Sequence, residues 1–125
     1  MTNADTADFA CCLIKLDRSV ALSRLGGDEN LLREVAAVFL EEYPELLAEI
    51  AGAVQTQDAG RLQHFAHSLK GAVANFGVQA AYDSALRLEM MGRQGDLSSA
   101  GSAFAELQSI MEQLRPSLVA LSETA

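Results

Sequence analysis

The sequence predicts an all-α fold, an antiparallel up-and-down four-helix bundle with an additional short helix or helices at its N-terminus. Apolar residues recur at steps of three and four along the chain, and no segment alternates apolar and polar residues as a strand would. Half of the 125 residues are hydrophobic, so residues 1–125 can form one domain with one core. We expect the bundle at about residues 28–122 and frayed chain at residues 1–6.

The first elements are indicated by their capping residues. An apolar segment, Phe9–Leu16, precedes Asp17, which is expected to cap a short helix that stops at Gly26. Asp28 caps a long helix, and Pro44 inside it predicts a bend rather than a break. The apolar stripe of this helix consists of Leu32, Val35, Ala36, Phe39, Tyr43, Leu46, Ile50 and Val54.

Three further helices follow, joined by short links that favour antiparallel neighbours. Asp58 is expected to cap the first of them, and the second runs from Val78 to about Gln94, closed by the glycines of Gly92–Gly95. Asp96 is expected to cap the last helix. The inward residues of the first are Leu62, Phe65, Ala66, Leu69, Val73 and Phe76, and those of the last are Leu97, Phe104, Leu107, Met111, Leu114, Leu118 and Leu121.

Composition argues against several classes of protein. Nine Lys and Arg face 17 Asp and Glu, a formal net charge of −8, and so acidic a surface repels the phosphates of nucleic acid. No apolar run approaches the ~20 residues of a membrane span, and no basic-then-apolar signal begins the chain, which predicts a cytoplasmic protein without membrane contact. Cys11 and Cys12 are adjacent, so they offer neither a disulfide framework nor a metal-ligand spacing.

The helix that follows Asp58 carries the residues with chemical potential. His67 falls mid-helix on the side away from the apolar stripe, with Lys70 and Gly71 one turn further on and Ala74 beyond them. A glycine inside a helix costs about 1 kcal/mol relative to alanine, and access of another protein's reacting group to the histidine is one reason to keep it. A neutral imidazole is a competent nucleophile near pH 7, and a lysine nearby can offset the charge of a phosphoryl group.

A carboxylate on the next helix is expected at the height of His67. The connecting turn lies near Gly77, so residue 67 is level with about residue 87, and Glu89 lies only about 3 Å along the axis from that level. Glu89 falls on the apolar side of its helix and therefore faces a neighbour. It could accept a hydrogen bond from one ring nitrogen of His67, or it could pair with Arg93 four residues on.

The segment around His67 resembles a known family. The run Ala-His-Ser-Leu-Lys-Gly at residues 66–71 is similar to the H-x-L-K-G motif of histidine-containing phosphotransfer (HPt) domains, and the similarity continues to residue 77. Further segments that resemble the family are residues 16–28, 32–40, 88–89 and 95–97. The resemblance implies a helical bundle that accepts a phosphoryl group on its histidine from a receiver-domain aspartate and passes it to another receiver.

The resemblance also implies a role for each residue of this surface. His67 is the phosphoacceptor, Lys70 supports the charge of the phosphate, Gly71 gives steric access, and Glu89 could orient the histidine. Gln63, His64 and Ala74 are expected to contact the partner. No cofactor or metal is expected on this chain, and Mg²⁺ is expected on the partner receiver.

His64, three residues before His67, is a rival candidate for the phosphoacceptor. It lacks a lysine three residues on, because that position is His67 itself, so an incidental surface histidine is the more economical interpretation. A metal site shared by the two histidines is weak as well, since metal centres of bundles use inward Glu-x-x-His pairs and residue 61 is Arg.

The sequence contains no P-loop and no glycine-rich kinase loop, which predicts a phosphoryl carrier rather than an enzyme. The chain is expected to be a monomer. Its expected partners are response-regulator receivers and a hybrid sensor histidine kinase. Two alternatives stay open: an adaptor that binds or sequesters a receiver without transfer, and a phosphoacceptor domain excised from a hybrid sensor kinase.

The first half of the chain is the more acidic and carries apolar residues beside its stripe. Residues 1–60 hold 11 of the 17 acidic residues and only 4 of the 9 basic ones. This is most simply a solvated surface, and it could also help to choose receivers by charge. Leu31 and Val38 fall on one flank of the stripe, where they could cover the N-terminal helices or contact a partner.

Overall fold

Residues 16–123 are described here from a computed structural model of the chain. They form five helices and no strand: α1 (Arg18–Arg24), α2 (Glu29–Gln55), α3 (Ala59–Ala74), α4 (Gln79–Gln94) and α5 (Ala100–Glu123). The all-α prediction is therefore confirmed over this range. The expectations for the apolar segment from Phe9, for Cys11 and Cys12 and for the frayed start lie outside the described residues.

Four helices, α2 to α5, enclose the core. α3 packs on α2 and α4, and α5 packs on α4 and α2, so the four close a square in which α3 and α5 are diagonal. The links at residues 56–58, 75–78 and 95–99 are too short for anything but antiparallel neighbours, and the predicted bundle is confirmed. Its largest fully buried side chains include Phe76, Leu32, Ile50, Leu62, Leu69, Leu88, Leu107, Met111, Leu114 and Leu118.

Aspartates cap three of the helices as the sequence predicts. The side chain of Asp17 accepts from the backbone N–H of Ser19 and Val20, that of Asp28 accepts from Leu31 at 3.0 Å, and that of Asp58 accepts from Arg61 at 3.1 Å. Each cap satisfies a backbone donor that the first helical turn leaves open, an interaction of about 1 kcal/mol.

The start of the last helix differs from the prediction. Asp96 does not cap it, because its Oδ1 accepts from the backbone N–H and the hydroxyl of Ser98, at 3.2 and 2.8 Å, and closes a local turn. α5 begins only at Ala100. The same hydrogen bonds join Asp17 to Ser19, where a helix follows at once. After Asp96, the residues Ser98, Ser99 and Gly101 lower the helix propensity, so the helix begins later.

Two other details concern residues that disfavour helix. α2 continues through Pro44 as one helix, as predicted, and α4 continues through Gly92 to Gln94, so Gly92 does not end it. The left-handed residue that ends α4 is Gly95, with φ of +75°. Gly92 therefore has another role, in the close contact between α3 and α4.

The predicted faces are largely confirmed. In α2 the stripe is buried at Leu32, Ala36, Phe39, Tyr43 and Ile50, and half-buried at its remaining members. Two residues predicted to face inward, Phe65 and Phe104, are only half-buried. Within residues 16–123, no helix combines the length and apolarity that crossing a bilayer requires.

Candidate functional site

His67 stands on the solvent face of α3, with 66% of its side chain exposed. Its orientation is fixed by the core, because Ala66 and Leu69 on the opposite face are fully buried. One turn further on, Gly71 is exposed, and a Cβ built there meets nothing within 4 Å. The ring therefore has open surface beside it, as the sequence predicts.

Glu89 lies beneath this ring. It is a buried residue of α4, 2% exposed, and its Oε2 is 3.1 Å from Nδ1 of His67. An ionised carboxylate can only accept a hydrogen bond, so Nδ1 carries the proton and donates it. In a neutral ring the lone pair is then on Nε2, and the predicted contact between the two residues is confirmed.

Two cations also contact the carboxylate of Glu89. Nζ of Lys70 is 2.9 Å from Oε1, and the guanidinium of Arg93 is 3.3 Å from Oε2. Both partners weighed for Glu89 from the sequence, His67 and Arg93, are therefore in contact with it at once. A carboxylate removed from water needs such compensation.

Lys70 is mostly buried and paired, although its position on α3 is on the outward side. Only 17% of its side chain is exposed, and Nζ lies 5.8 Å from the ring centroid of Tyr82 in addition to its ion pair with Glu89. The position of its Cα on the helix points outward, but the long side chain reaches back across to α4 because the buried carboxylate attracts it.

The protonation of Glu89 reflects these contacts. Burial by itself raises the pKa of the carboxyl group, but the hydrogen bonds from Lys70 and His67, together with their charges, outweigh burial and hold the pKa below its usual value. Glu89 is therefore a carboxylate at neutral pH, which is the state that the hydrogen bond from Nδ1 requires.

Gly92 brings α3 and α4 together next to this cluster. A Cβ built on Gly92 would lie 2.6 Å from the backbone nitrogen of Gln63 and 2.7 Å from the carbonyl oxygen of Ala59. Such contacts are shorter than any side chain permits, so only glycine allows this approach. Gly92 lies one turn after Glu89, and the sequence pattern indicated it only as part of the helix end at Gly92–Gly95. The available signal was its spacing of three residues from Glu89, which places both on one face.

The three predicted partner contacts do not form one cluster. His64 is exposed, with its ring edge on Phe65, and together with Gln63 it borders the shallow depression that also contains His67, Glu89 and Arg93. Ala74 lines a different depression, beside Arg24, Gly77 and Tyr82. Among residues 16–123 no three His, Cys, Asp or Glu side chains are grouped as a metal ion would need.

Comparison with known proteins gives the class. Residues 34–117 match the Hpt domain family. The crystal structure of histidine-containing phosphotransfer protein B (HptB) from Pseudomonas aeruginosa PAO1 is similar, with a TM-score of 0.79 and 26% sequence identity over 86% of this chain and 94% of that one. No curated protein matches significantly.

The family match covers more than half of the chain, so this protein belongs to the Hpt domain family. It is a histidine phosphotransfer protein of a phosphorelay, built as a helical bundle. Members of this family are phosphocarriers that interact with receiver domains.

Proposed function

We propose that His67 is the phosphoacceptor and that Nε2 is its reacting atom. The observation that carries the proposal is the hydrogen bond from Nδ1 to the buried Glu89, next to the open surface at Gly71. The bond fixes the tautomer, so that the lone pair is on the nitrogen that Glu89 does not hold.

The transfer step follows from that tautomer. The lone pair of Nε2 forms a bond to phosphorus while the bond from phosphorus to the aspartyl oxygen of the receiver breaks, and the aspartate leaves as a carboxylate. Nδ1 keeps its proton, so the ring becomes cationic. Glu89, 3.1 Å away, stabilises that positive charge without having to move. The reverse step delivers the phosphoryl group to a second receiver.

Lys70 and Arg93 adjust the charge of the site. With Glu89 they form a cluster of two cations and one carboxylate, which favours the approach of an anionic phosphoryl group. Gly71 leaves room for the receiver's backbone beside the ring, and Gln63, His64 and Ala74 extend the surface that it touches. A Mg²⁺ ion on the receiver would supply neutralisation of the phosphoryl oxygens, and no residue of this chain is assigned to hold it.

We infer that the chain is a phosphoryl carrier without kinase activity of its own. The absence of a P-loop and of a glycine-rich kinase loop from the sequence supports that proposal. The chain contributes the nucleophile and a docking face, and the receiver contributes the aspartate and the metal ion. An adaptor that binds receivers without transfer is the competing function, and the next experiment separates the two.

The test is transfer from a receiver domain that carries a labelled phosphoryl group, in the presence of Mg²⁺. We expect acid-labile, base-stable label on the wild-type chain, no label on His67→Gln, and label still present on the matched control His64→Gln, where loss of a receiver contact changes the rate of transfer and not the residue that is labelled. Label that persists on His67→Gln would assign the reaction to another residue. A receiver that binds the wild-type chain but never labels it would establish the adaptor.

A further inference from the structure

An apolar groove runs between α2 and α3 next to the proposed phosphoacceptor face. Its apolar lining consists of Leu31, Val35, Val38, Phe39, Ala72 and Phe76. Val38 is 50% exposed and Leu31 is 39% exposed, and they are two of the three large hydrophobic residues that residues 16–123 expose. Large apolar side chains kept in water beside each other indicate a surface that a protein partner covers.

Glutamates of α2 border this groove. Glu34 and Glu42 line it directly, and Glu42 also lines the adjoining depression, together with Glu45 and Glu49. Glu49 is paired with Arg61. Glu34, Glu42 and Glu45 have no salt-bridge partner within the part of the chain that the structure describes, so their charges are available to a partner.

The groove is continuous with the site through α3. Ala72, which lines it, follows Gly71 on α3, and Asn75, which also lines it, is the first residue after that helix. On the other flank of His67 lie Lys70 and Arg93. The docking face therefore has a basic side on α4 and an acidic, apolar side on α2, with the histidine between them.

This polarity restricts how a receiver can bind. The pocket around a receiver's aspartate must be acidic, because carboxylates are what holds Mg²⁺ there. That pocket is attracted to the cations beside His67 and repelled by the glutamates of α2. The part of the receiver that covers the groove must then be apolar to match its lining and basic to match its border.

We infer, on the basis of the proposed function, that Glu34 and Glu42 make this chain selective for receivers whose docking surface, the part that covers the groove, carries apolar residues flanked by lysine or arginine. The glutamates act on encounter and orientation, and the reacting atoms are the same for every receiver. Selection among receivers by charge follows, since receivers with acidic or neutral docking surfaces associate more slowly.

The test compares Glu34→Gln/Glu42→Gln with the wild-type chain. The probes are one purified, phosphorylated receiver domain with a basic docking surface and a version of it in which those lysines and arginines are glutamine. With the basic receiver at low salt, we expect the double variant to lower the second-order transfer rate constant by about three- to tenfold. The loss should shrink as NaCl rises from about 25 mM to about 300 mM, because exposed charges are then screened. With the glutamine receiver, the two chains should react alike.

The matched control is Glu112→Gln/Glu123→Gln, which removes the same charge from exposed positions of α5, the helix diagonal to α3; like Glu34 and Glu42, these two glutamates have no salt-bridge partner among residues 16–123. It should retain the wild-type rate. Equal slowing in the control, no slowing in the groove variant, or a loss that persists with the glutamine receiver would each overturn the selectivity. Failure of the proposed function is distinct: the wild-type chain would then take no phosphoryl group on His67 from any receiver.

Discussion

Helices α4 and α5 both pack against the core, but they bury different kinds of residue. The buried positions of α4 are mostly small or polar, Ala81, Ser84, Ala85, Leu88, Glu89 and Gly92, whereas those of α5 are mostly large and aliphatic, including Leu107, Ile110, Met111, Leu114, Leu118 and Leu121. α4 lies against α3, which carries His67, and α5 lies diagonally across from it. One helix positions a charge, and the other supplies apolar area.

This difference separates stability from chemistry along the chain. Truncation in α5 should cost stability alone, because none of its residues touches the site. Change in α4 should alter the tautomer and position of the His67 ring as well as stability. Three substitutions, in order of decreasing effect on stability, test whether α5 contributes to stability alone and α4 also affects the site.

Leu114→Ala in α5 should have the largest effect. Leu114 is 1% exposed, and its truncation leaves a cavity, which costs about 2–5 kcal/mol of unfolding free energy. Denaturant unfolding measures that loss. Phosphotransfer to His67, assayed at a temperature where the variant is folded, should match the wild type. A folded variant with transfer slowed tenfold would show that α5 also shapes the site.

Gly92→Ala in α4 should have an intermediate effect on stability and a distinct effect on the site. The new methyl group would meet the backbone of α3 at less than 3 Å, so the helices must separate, at a cost of about 1–3 kcal/mol. Separation moves Glu89 away from His67. We therefore expect the ¹⁵N resonances of the His67 ring to shift from a single tautomer towards a mixture.

Gly101→Ala is the matched control for that substitution, because Gly101 is also in a helix and a Cβ there meets nothing within 4 Å. It should leave the His67 resonances unchanged and preserve or slightly increase stability. If Gly92→Ala lowers stability while the ring keeps its tautomer, the close approach of the helices serves packing only.

Glu89→Gln should have the smallest effect on stability, about 1–2 kcal/mol near pH 7. The pKa of Glu89 is lowered in the folded protein, so the unfolded chain binds its proton more readily. The stabilisation by the carboxylate is complete above the unfolded pKa of about 4.3 and is lost as pH falls through the lower folded value. Thermal unfolding of both proteins from pH 7 to pH 3 should therefore converge at the acid end, and a constant difference would contradict this.

Helix ends and faces were predictable where the signal is local. An aspartate followed by an apolar period specifies a cap with few competitors, as at Asp17, Asp28 and Asp58. The prediction for Asp96 was wrong although its hydrogen bonds to Ser98 match those of Asp17 to Ser19, because Ser98, Ser99 and Gly101 give the chain after Asp96 a lower helix propensity than the chain after Asp17 has. The height of Glu89 followed from the length of the hairpin alone, since helical rise is constant and the turn at Gly77 is short.

The remaining features of the site depend on tertiary contacts. Angular position on a helix places the Cα of Lys70, but the end of a long side chain goes where its counter-charge is, and that lies on α4. Gly92 could not be told from a helix-ending glycine without knowing which backbone opposes it. The histidine and its carboxylate could therefore be predicted from the sequence, but the close approach of α3 and α4 that brings them into contact could not.

The short helix α1 bears on how this protein should be prepared for study. Gly77, with φ of +68°, turns the chain from α3 to α4, and a Cβ there would lie 2.6 Å from Val20 and 3.1 Å from Arg24, both in α1. α1 thus braces the turn that sets the relative height of the two helices. A shortened recombinant version starting at Asp28 would keep all four long helices yet lose the brace on their reactive hairpin, so kinetic work calls for a chain that retains residues 16–27.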